Sequence, residues 1–264
     1  MNLGLMAESD IVYVAVIPQD YPSINLSKAV SEIIGKDAYQ TRLLLAGSIP
    51  RIVARCVGAG SAEATARKLR EAGLTTIVCS DAELRKPFGG VRAKTIVFGD
   101  KEATFRQEDE KETTMDAIFL IIKGTRQFVP EVKEEDKTPV KTRYKLDMGK
   151  SLLLGGVPVV KRVSEKPKSE SSQPEWFLRL YERRSPDATV EILQYDMDYT
   201  FLGEETSLSS TANFLNVVKR LRGIYPQAIY DERLMKTSVT DIPGTTPDED
   251  IDINCRLIYY QHLP

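Results

Sequence analysis

Over the first 86 residues, strand-like and helix-like patterns of apolar residues alternate, and this alternation constrains the fold more than any other feature of the sequence. Ile11–Ile17 is rich in β-branched residues and ends at Pro18, so it predicts a buried strand. A helical apolar stripe follows and stops at Gly35; its members are Leu26, Ala29, Val30, Ile33 and Ile34. Asp37 is placed to cap a second helix that runs through Leu43–Leu45.

The same segment continues with two more strands and one more helix. Arg51–Val57 alternates polar and apolar residues, which predicts a strand, and Thr75–Cys79 predicts another. Between them we expect a third helix that is capped by Ser61 and ends near Gly73. The predicted order of elements is β-α-α-β-α-β, in a first domain spanning residues 10–87.

The segment Ala62–Val78, AEATARKLREAGLTTIV, resembles the last helix and strand of the C-terminal domain of the ribosomal stalk protein. The Clp protease adaptor has a similar fold. Both families use the fold to hold another protein, so the resemblance implies a non-catalytic docking domain. The acidic and histidine residues with which the adaptor grips a peptide amino-terminus have no counterpart at matching positions, so no binding residue is carried over.

After a hinge at Phe88–Gly90, a second domain is predicted over residues 91–235. Expected strands are Lys94–Phe98, Ala103–Arg106 and Met115–Lys123, and Trp176–Tyr181 pairs with Thr189–Gln194 as a hairpin. Two charged, proline-bearing stretches, Glu131–Pro139 and Glu165–Glu175, are expected to be loops around the apolar segment Ser151–Val160.

The strongest helical pattern of the chain covers residues 207–225. It is expected to be capped by Ser207 or Ser209 and stopped by Gly223 and Pro226. Its expected apolar stripe is widened by Phe214 and Val217 and otherwise contains Leu208, Thr211, Ala212, Leu215, Val218 and Leu221 or Arg222. Several strands followed by one amphipathic helix resemble a pleckstrin-homology-like barrel closed by its helix, and an unrelated α+β sheet is the alternative.

The last segment, residues 236–264, is expected to hold a linker and a strand. Thr237–Pro247 contains two prolines and a glycine, which is typical of a linker. Ile253–Tyr260 is expected to be a strand that pairs with a sheet of this chain or of another molecule, and the second case would give a homodimer. The fold class predicted for the whole chain is α+β.

Composition narrows the classes of function. Thirty-six basic and 38 acidic residues give a net charge of −2, without the basic excess typical of duplex nucleic-acid binding. Cys56, Cys79 and Cys255 form no CxxC pair, and His262 is the single histidine, close to the carboxyl end, where fraying is common. Buried free thiols, no export signal and no long apolar span predict a cytoplasmic protein without stable membrane association.

Candidate binding motifs fail on their spacing. Gly58 and Gly60 lie where a dinucleotide loop has its first glycines, but Glu63 takes the third position and would repel pyrophosphate, so we expect a plain strand–helix turn. Asp196 and Asp198 are expected on one solvated strand face. Asp248–Asp252 begins like a calcium loop but lacks its later ligands, so we expect an exposed acidic turn.

Two basic pairs, Arg183–Arg184 and Lys161–Arg162, could join the cations of the 207–225 helix in a patch for a phospholipid head group. No catalytic, cofactor-binding or metal-binding residue is assigned, and no cofactor is predicted. The leading hypothesis is a non-catalytic protein-interaction or adaptor protein that binds another protein. An enzyme with a carboxylate or lysine site that the sequence does not reveal and an anion- or lipid-sensing barrel are the alternatives.

Overall fold

A computed structural model describes residues 11–19, 21–128, 143–146, 160–163, 173–236, 240 and 242–263. The chain divides into two compact units, residues 1–126 with 175–264, and residues 127–174. Most of Glu131–Pro139, Ser151–Val160 and Glu165–Glu175, expected as loops and an apolar segment, lies outside the described residues. In the smaller unit, two strands, β9 (Arg143–Leu146) and β10 (Val160–Val163), pair in antiparallel orientation.

The larger unit begins with a three-stranded antiparallel sheet of order β2-β1-β3 and three helices, as the pattern predicts. The bounds are β1 Ile11–Val16, α1 Ile24–Ile34, α2 Ala38–Leu45, β2 Arg51–Val57, α3 Ala59–Glu71 and β3 Thr76–Ser80. Ser23 and Asp37 cap α1 and α2 through their side chains, and Gly35 ends α1 with a φ of 68°. The predicted Ser61 cap of α3 is wrong: Gly58, at a φ of 79°, is the cap, because only glycine adopts this backbone easily.

Both faces of this first sheet are covered. Alternate residues of β1 point to opposite faces, so Val12, Val14 and Val16 pack against α1–α3. Tyr13 and Ala15 point the other way and pack against the last helix of the chain, α6 (Pro247–His262), through Ile253 and Leu257. Burial on both faces explains why Ile11–Ile17 is continuously apolar rather than alternating.

The rest of the larger unit contains a five-stranded mixed sheet of order β13-β8-β11-β12-β4 and a three-stranded meander, β5-β6-β7. The bounds are α4 Asp81–Leu84, β4 Val91–Ala93, β5 Thr95–Phe98, β6 Ala103–Arg106, β7 Glu112–Met115, β8 Leu120–Phe128, β11 Gln173–Tyr181, β12 Val190–Leu193, a 3-10 helix Tyr199–Glu205, α5 Ser210–Ile224 and β13 Ile229–Leu234. The predicted hairpin corresponds to antiparallel β11 and β12. The α+β class is confirmed, and the described strands form open sheets.

Helices α5 and α6 cover opposite faces of the five-stranded sheet. Phe214 and Val217 of α5 pack with the alternate sheet residues Ile121, Leu178, Leu180, Val190 and Ile192. Cys255, Ile258 and Tyr259 of α6 pack with Leu120, Ile122, Phe177, Tyr181 and Leu193. Helix α6 therefore lies between the two sheets and contributes to the core of each.

Two sequence predictions about the elements that carry β7, β8 and α5 are wrong. Met115–Lys123 is not one strand, because β7 ends at Met115 and β8 begins at Leu120. The stripe of α5 is centred on Phe214, Val217 and Leu221, whereas Leu208 and Leu215 are exposed.

The predicted strand Ile253–Tyr260 is instead part of α6. Thr246 and Glu249 form a capping box, Pro247 occupies the first turn, and both fix the start of a helix. The apolar run looked strand-like because α6 is buried on two sides and so lacks the polar face of a surface helix. Within the described residues, no helix is long and apolar enough to cross a membrane.

Candidate functional site

A cluster of buried charges joins α6 to the five-stranded sheet. Arg179 on β11 donates from Nε to Glu191 Oε1 at 2.9 Å, and its Nη2 lies 2.6 Å from Asp252 Oδ1. Arg92 binds the other oxygen of Glu191, with 3.0 Å from Nε to Oε2. The Arg179 guanidinium also lies over the Phe88 ring, 5.1 Å from its centroid.

A cavity of about 140 Å³ borders this cluster and is lined by Arg92, Arg126, Arg179, Glu191, Asp248 and Asp252 among others. Arg126 is itself paired with the buried Glu175 at 2.8 Å. The principal cations of the cavity thus have carboxylate partners within the protein. These ion pairs link α6 to the sheet, and they leave little uncompensated charge for a substrate.

The three cysteines are free and buried, which confirms the burial expected for Cys56 and Cys79 from their apolar surroundings. Burial raises the pKa of Cys255 to about 11 and that of Cys79 to about 12. Thiols of this kind stay protonated at neutral pH and are poor nucleophiles. Within the described part of the chain, no group of three His, Cys, Asp or Glu side chains is placed to hold a metal ion.

The carboxylate motifs singled out in the sequence lie in ordinary structural positions. Asp196 and Asp198 are not on a strand: they follow β12, where Asp196 pairs with Lys94 and Asp198 caps the 3-10 helix. Asp248–Asp252 is not an exposed turn but the first turn and a half of α6, and the carboxylate of Asp250 accepts hydrogen bonds from Thr240 and Thr245. Acidic residues are favoured there by the helix dipole.

His262 is in the last turn of α6 rather than in a frayed terminus, and its Nε2 lies 3.2 Å from Asp231 Oδ2 on β13. The predicted anion patch is not assembled in the larger unit. Arg183 stacks on Phe119, on the α6 side of the five-stranded sheet, while Arg222 stacks on Tyr230 at the end of α5 on the opposite side. Lys161 and Arg162 lie in β10 of the smaller unit.

Several exposed apolar side chains lie within and just before the helix pair α1–α2 of the first sheet. The described residues include nine large apolar side chains that are exposed. Four of them lie within residues 21–43: Tyr21, Ile24, Tyr39 and Leu43. Tyr39 and Leu43 are four residues apart on α2 and share one face, 72% and 58% exposed. We call these four residues the helix-pair patch.

A groove of about 830 Å³ lies between α5 and the edge strand β13. Three cations line it, Lys123, Lys219 and Arg222, together with one carboxylate, Glu232. Its apolar wall includes Leu215, Val218, Tyr225, Pro226, Ala228 and Tyr230. Burial and, to a lesser degree, the Glu232 carboxylate raise the pKa of Tyr230 to about 12, so its hydroxyl stays protonated.

Sequence reasoning missed Lys123 and the groove around it. Lys123 closes the run MDAIFLIIK, where a lysine after apolar residues indicates the end of a strand. In the structure β8 continues to Phe128, so Lys123 lies inside the strand and points to the α5 side, as Ile121 does. The signal that could have revealed it is the period of two from Ile121.

Comparisons with known proteins add no assignment. No protein-family model, no curated protein and no solved structure matches this chain.

Proposed function

We propose that this chain is a non-catalytic protein-binding protein that docks its partner on the helix-pair patch. The observation that carries the proposal is that four exposed large apolar side chains lie within residues 21–43, two of them, Tyr39 and Leu43, on one face of α2. Scattered single apolar residues are usual on a surface, whereas grouped ones mark contact sites. The resemblance of the first domain to two protein-docking domains points in the same direction.

The charges around the patch define the chemistry of the partner. Lys28, Lys36 and Arg42 are exposed on or beside α1 and α2. Among the described residues 21–45, the exposed carboxylates are Glu32 and Asp37, and Asp37 accepts a hydrogen bond from Gln40 N as the cap of α2. A partner surface with an apolar centre and an acidic rim would match this surface.

A reducing compartment, the cytoplasm, suits the proposed protein because its three cysteines are free thiols. The enzyme alternative has less support: the cations beside the cavity of about 140 Å³ are held by Glu175, Glu191 and Asp252.

The test uses the full chain with a photo-crosslinking residue at Gln40, on α2, or at Lys68, an exposed position of α3. We expect one partner to be captured at position 40 and not at 68, and to be lost when Tyr39 and Leu43 are both changed to Ser. The matched control is Leu208→Ser, which removes a fully exposed leucine far from α2 in sequence and should leave capture unchanged.

Position-independent capture, or capture that survives Tyr39→Ser/Leu43→Ser, would refute the docking role of the patch. Crosslinking to a second copy of the chain would replace the proposed partner with self-association. Circular dichroism of the double variant checks that the fold is retained, which we expect because both side chains are exposed.

A further inference from the structure

Lys123 has an unusual environment in the groove between α5 and β13. The residue is only 7% exposed, and it lies on the sheet face that α5 covers. Its ammonium lies over the Trp176 ring, 4.4 Å from the centroid. Among the described residues, this ring is the one partner recorded for the ammonium, which has no carboxylate within ion-pair distance.

A buried ammonium without a counter-ion is costly, because the protein interior solvates charge poorly. The other buried cations of the larger unit obey this rule: Arg179 is paired with Glu191 and Asp252, and Arg256 with Asp187. A ring face recovers only part of the lost hydration. Lys123 therefore differs from them: its ammonium contacts an aromatic ring rather than a carboxylate, and the residue lines the groove.

Two further cations lie along the same groove. Lys219 and Arg222 are on α5, and no ion pair involves either residue within the described part of the chain. The negative end of the helix dipole accounts for cations in the last turn of α5, but it gives no reason for a lysine on β8. Arg222 is held with its guanidinium 4.4 Å from the Tyr230 centroid, which restrains the side chain beside the groove.

We propose that this groove binds a small molecule that carries a phosphate group, with Lys123 as the buried cation that receives it. The three cations and Glu232 give the lining a net charge of 3 − 1 = +2. A phosphate monoester carries close to −2 at neutral pH, whereas a single carboxylate carries −1. The volume of about 830 Å³ suits a drug-sized ligand, and Tyr230, Leu215 and Ala228 provide an apolar wall for its organic part.

This site is independent of the helix-pair patch, whose members lie within residues 21–43. It also differs from the anion patch expected from the sequence, because Lys123 replaces Arg183–Arg184 as its centre. The chemistry recognised is the phosphate group itself, which a soluble metabolite or a phosphoinositide head group can both supply.

The experiment titrates the full chain with phenyl phosphate by calorimetry, with phenol and benzoate as ligands lacking the phosphate. We expect binding of phenyl phosphate that weakens with added KCl, and at least tenfold weaker binding of benzoate. Lys123→Met should weaken phenyl phosphate binding at least tenfold. Lys101→Met, in the exposed turn between β5 and β6, is the matched control and should change it less than twofold.

A second readout separates ligand binding from a structural role. Without ligand, Lys123→Met should unfold in urea at the same or a higher concentration than the unchanged protein, because it removes a buried charge and keeps the side-chain length. Arg222→Met, an exposed substitution, repeats the binding test without touching the core and should weaken binding severalfold.

Vesicles containing a phosphoinositide, compared with vesicles of phosphatidylcholine, distinguish the two sources of phosphate. Binding to the phosphoinositide vesicles alone assigns a lipid head group, and binding to soluble phenyl phosphate assigns a metabolite. The proposal is overturned if no phosphate compound binds at millimolar concentration, if Lys123→Met binds as the unchanged protein does, or if a hexaglutamate peptide binds as tightly as phenyl phosphate.

Discussion

Replacement of Glu191 by Gln tests how the buried charges hold α6 against the five-stranded sheet. The Glu191 side chain is 1% exposed and accepts from Nε of two arginines, Arg179 at 2.9 Å and Arg92 at 3.0 Å. The change keeps the size of the side chain but removes its charge and replaces one acceptor oxygen with a donor NH₂ group. One arginine then faces a donor instead of an acceptor.

The expected loss of unfolding free energy is about 3 kcal/mol, the low end of the range for breaking a buried ion pair. The low end applies because Arg179 keeps Asp252, 2.6 Å away, and because the Arg92 side chain is 56% exposed and can turn to water. The matched control is Glu108→Gln, which removes a carboxylate that is 88% exposed and 3.8 Å from Lys94. The control should change stability by less than about 0.5 kcal/mol.

Urea denaturation followed by tryptophan fluorescence measures both changes, since Trp176 is the single tryptophan and packs against Phe214 in the larger unit. A double-mutant cycle with Arg179→Gln isolates the coupling between Arg179 and Glu191. If Glu191→Gln costs no more than Glu108→Gln, or if the cycle shows no coupling, the cluster does not stabilise the contact with α6 and our interpretation of it fails.

Three further predictions follow from single contacts. Tyr225→Phe should lower the free energy of unfolding, measured by urea denaturation, by about 1–2 kcal/mol, because the buried hydroxyl donates to Met115 O at 2.6 Å and its removal leaves that carbonyl unpaired. An unchanged denaturation midpoint would contradict this hydrogen bond. Thr246→Ala should cost about 1 kcal/mol by removing the cap of α6, and Thr246→Ser, which keeps the hydroxyl, should not. Burial raises the pKa of Cys255 from 9.0 to about 11, so the protonated thiol stabilises the folded state below pH 9 and this contribution is lost as the pH rises towards 11. The free energy of unfolding should therefore fall less between about pH 8 and 10.5 in Cys255→Ala than in the unchanged protein. Equal falls in the two proteins would count against the pKa shift.

The first sheet and its helices follow from local sequence because their signals are local. Ser23, Asp37 and Gly35 act within a few residues of the helix ends that they define. Helix α6 was mistaken for a strand because its character depends on what surrounds it: Ile253 and Leu257 face one sheet while Cys255 and Ile258 face the other. The capping box at Thr246 and Pro247 in the first turn carry the local signal.

The candidate sites divide in the same way. Buried thiols could be inferred from the apolar residues around Cys56 and Cys79. The helix-pair patch and the groove could not, because each depends on which apolar residues the tertiary structure leaves exposed or brings together. Lys123 and Arg222 are about a hundred positions apart in the chain, and no spacing rule connects them.

The position of α6 between two sheets has a consequence for how the chain is made. Tyr13 of β1 and Leu257 of α6 belong to the same apolar cluster. The second face of β1 is therefore covered only after α6, the last described helix, has been synthesised. A nascent chain that has left the ribosome tunnel only up to Leu234 would expose the apolar face of each sheet that α6 later covers. Contacts of such long sequence separation form late, and we expect chaperones that shield apolar surfaces to recognise that intermediate.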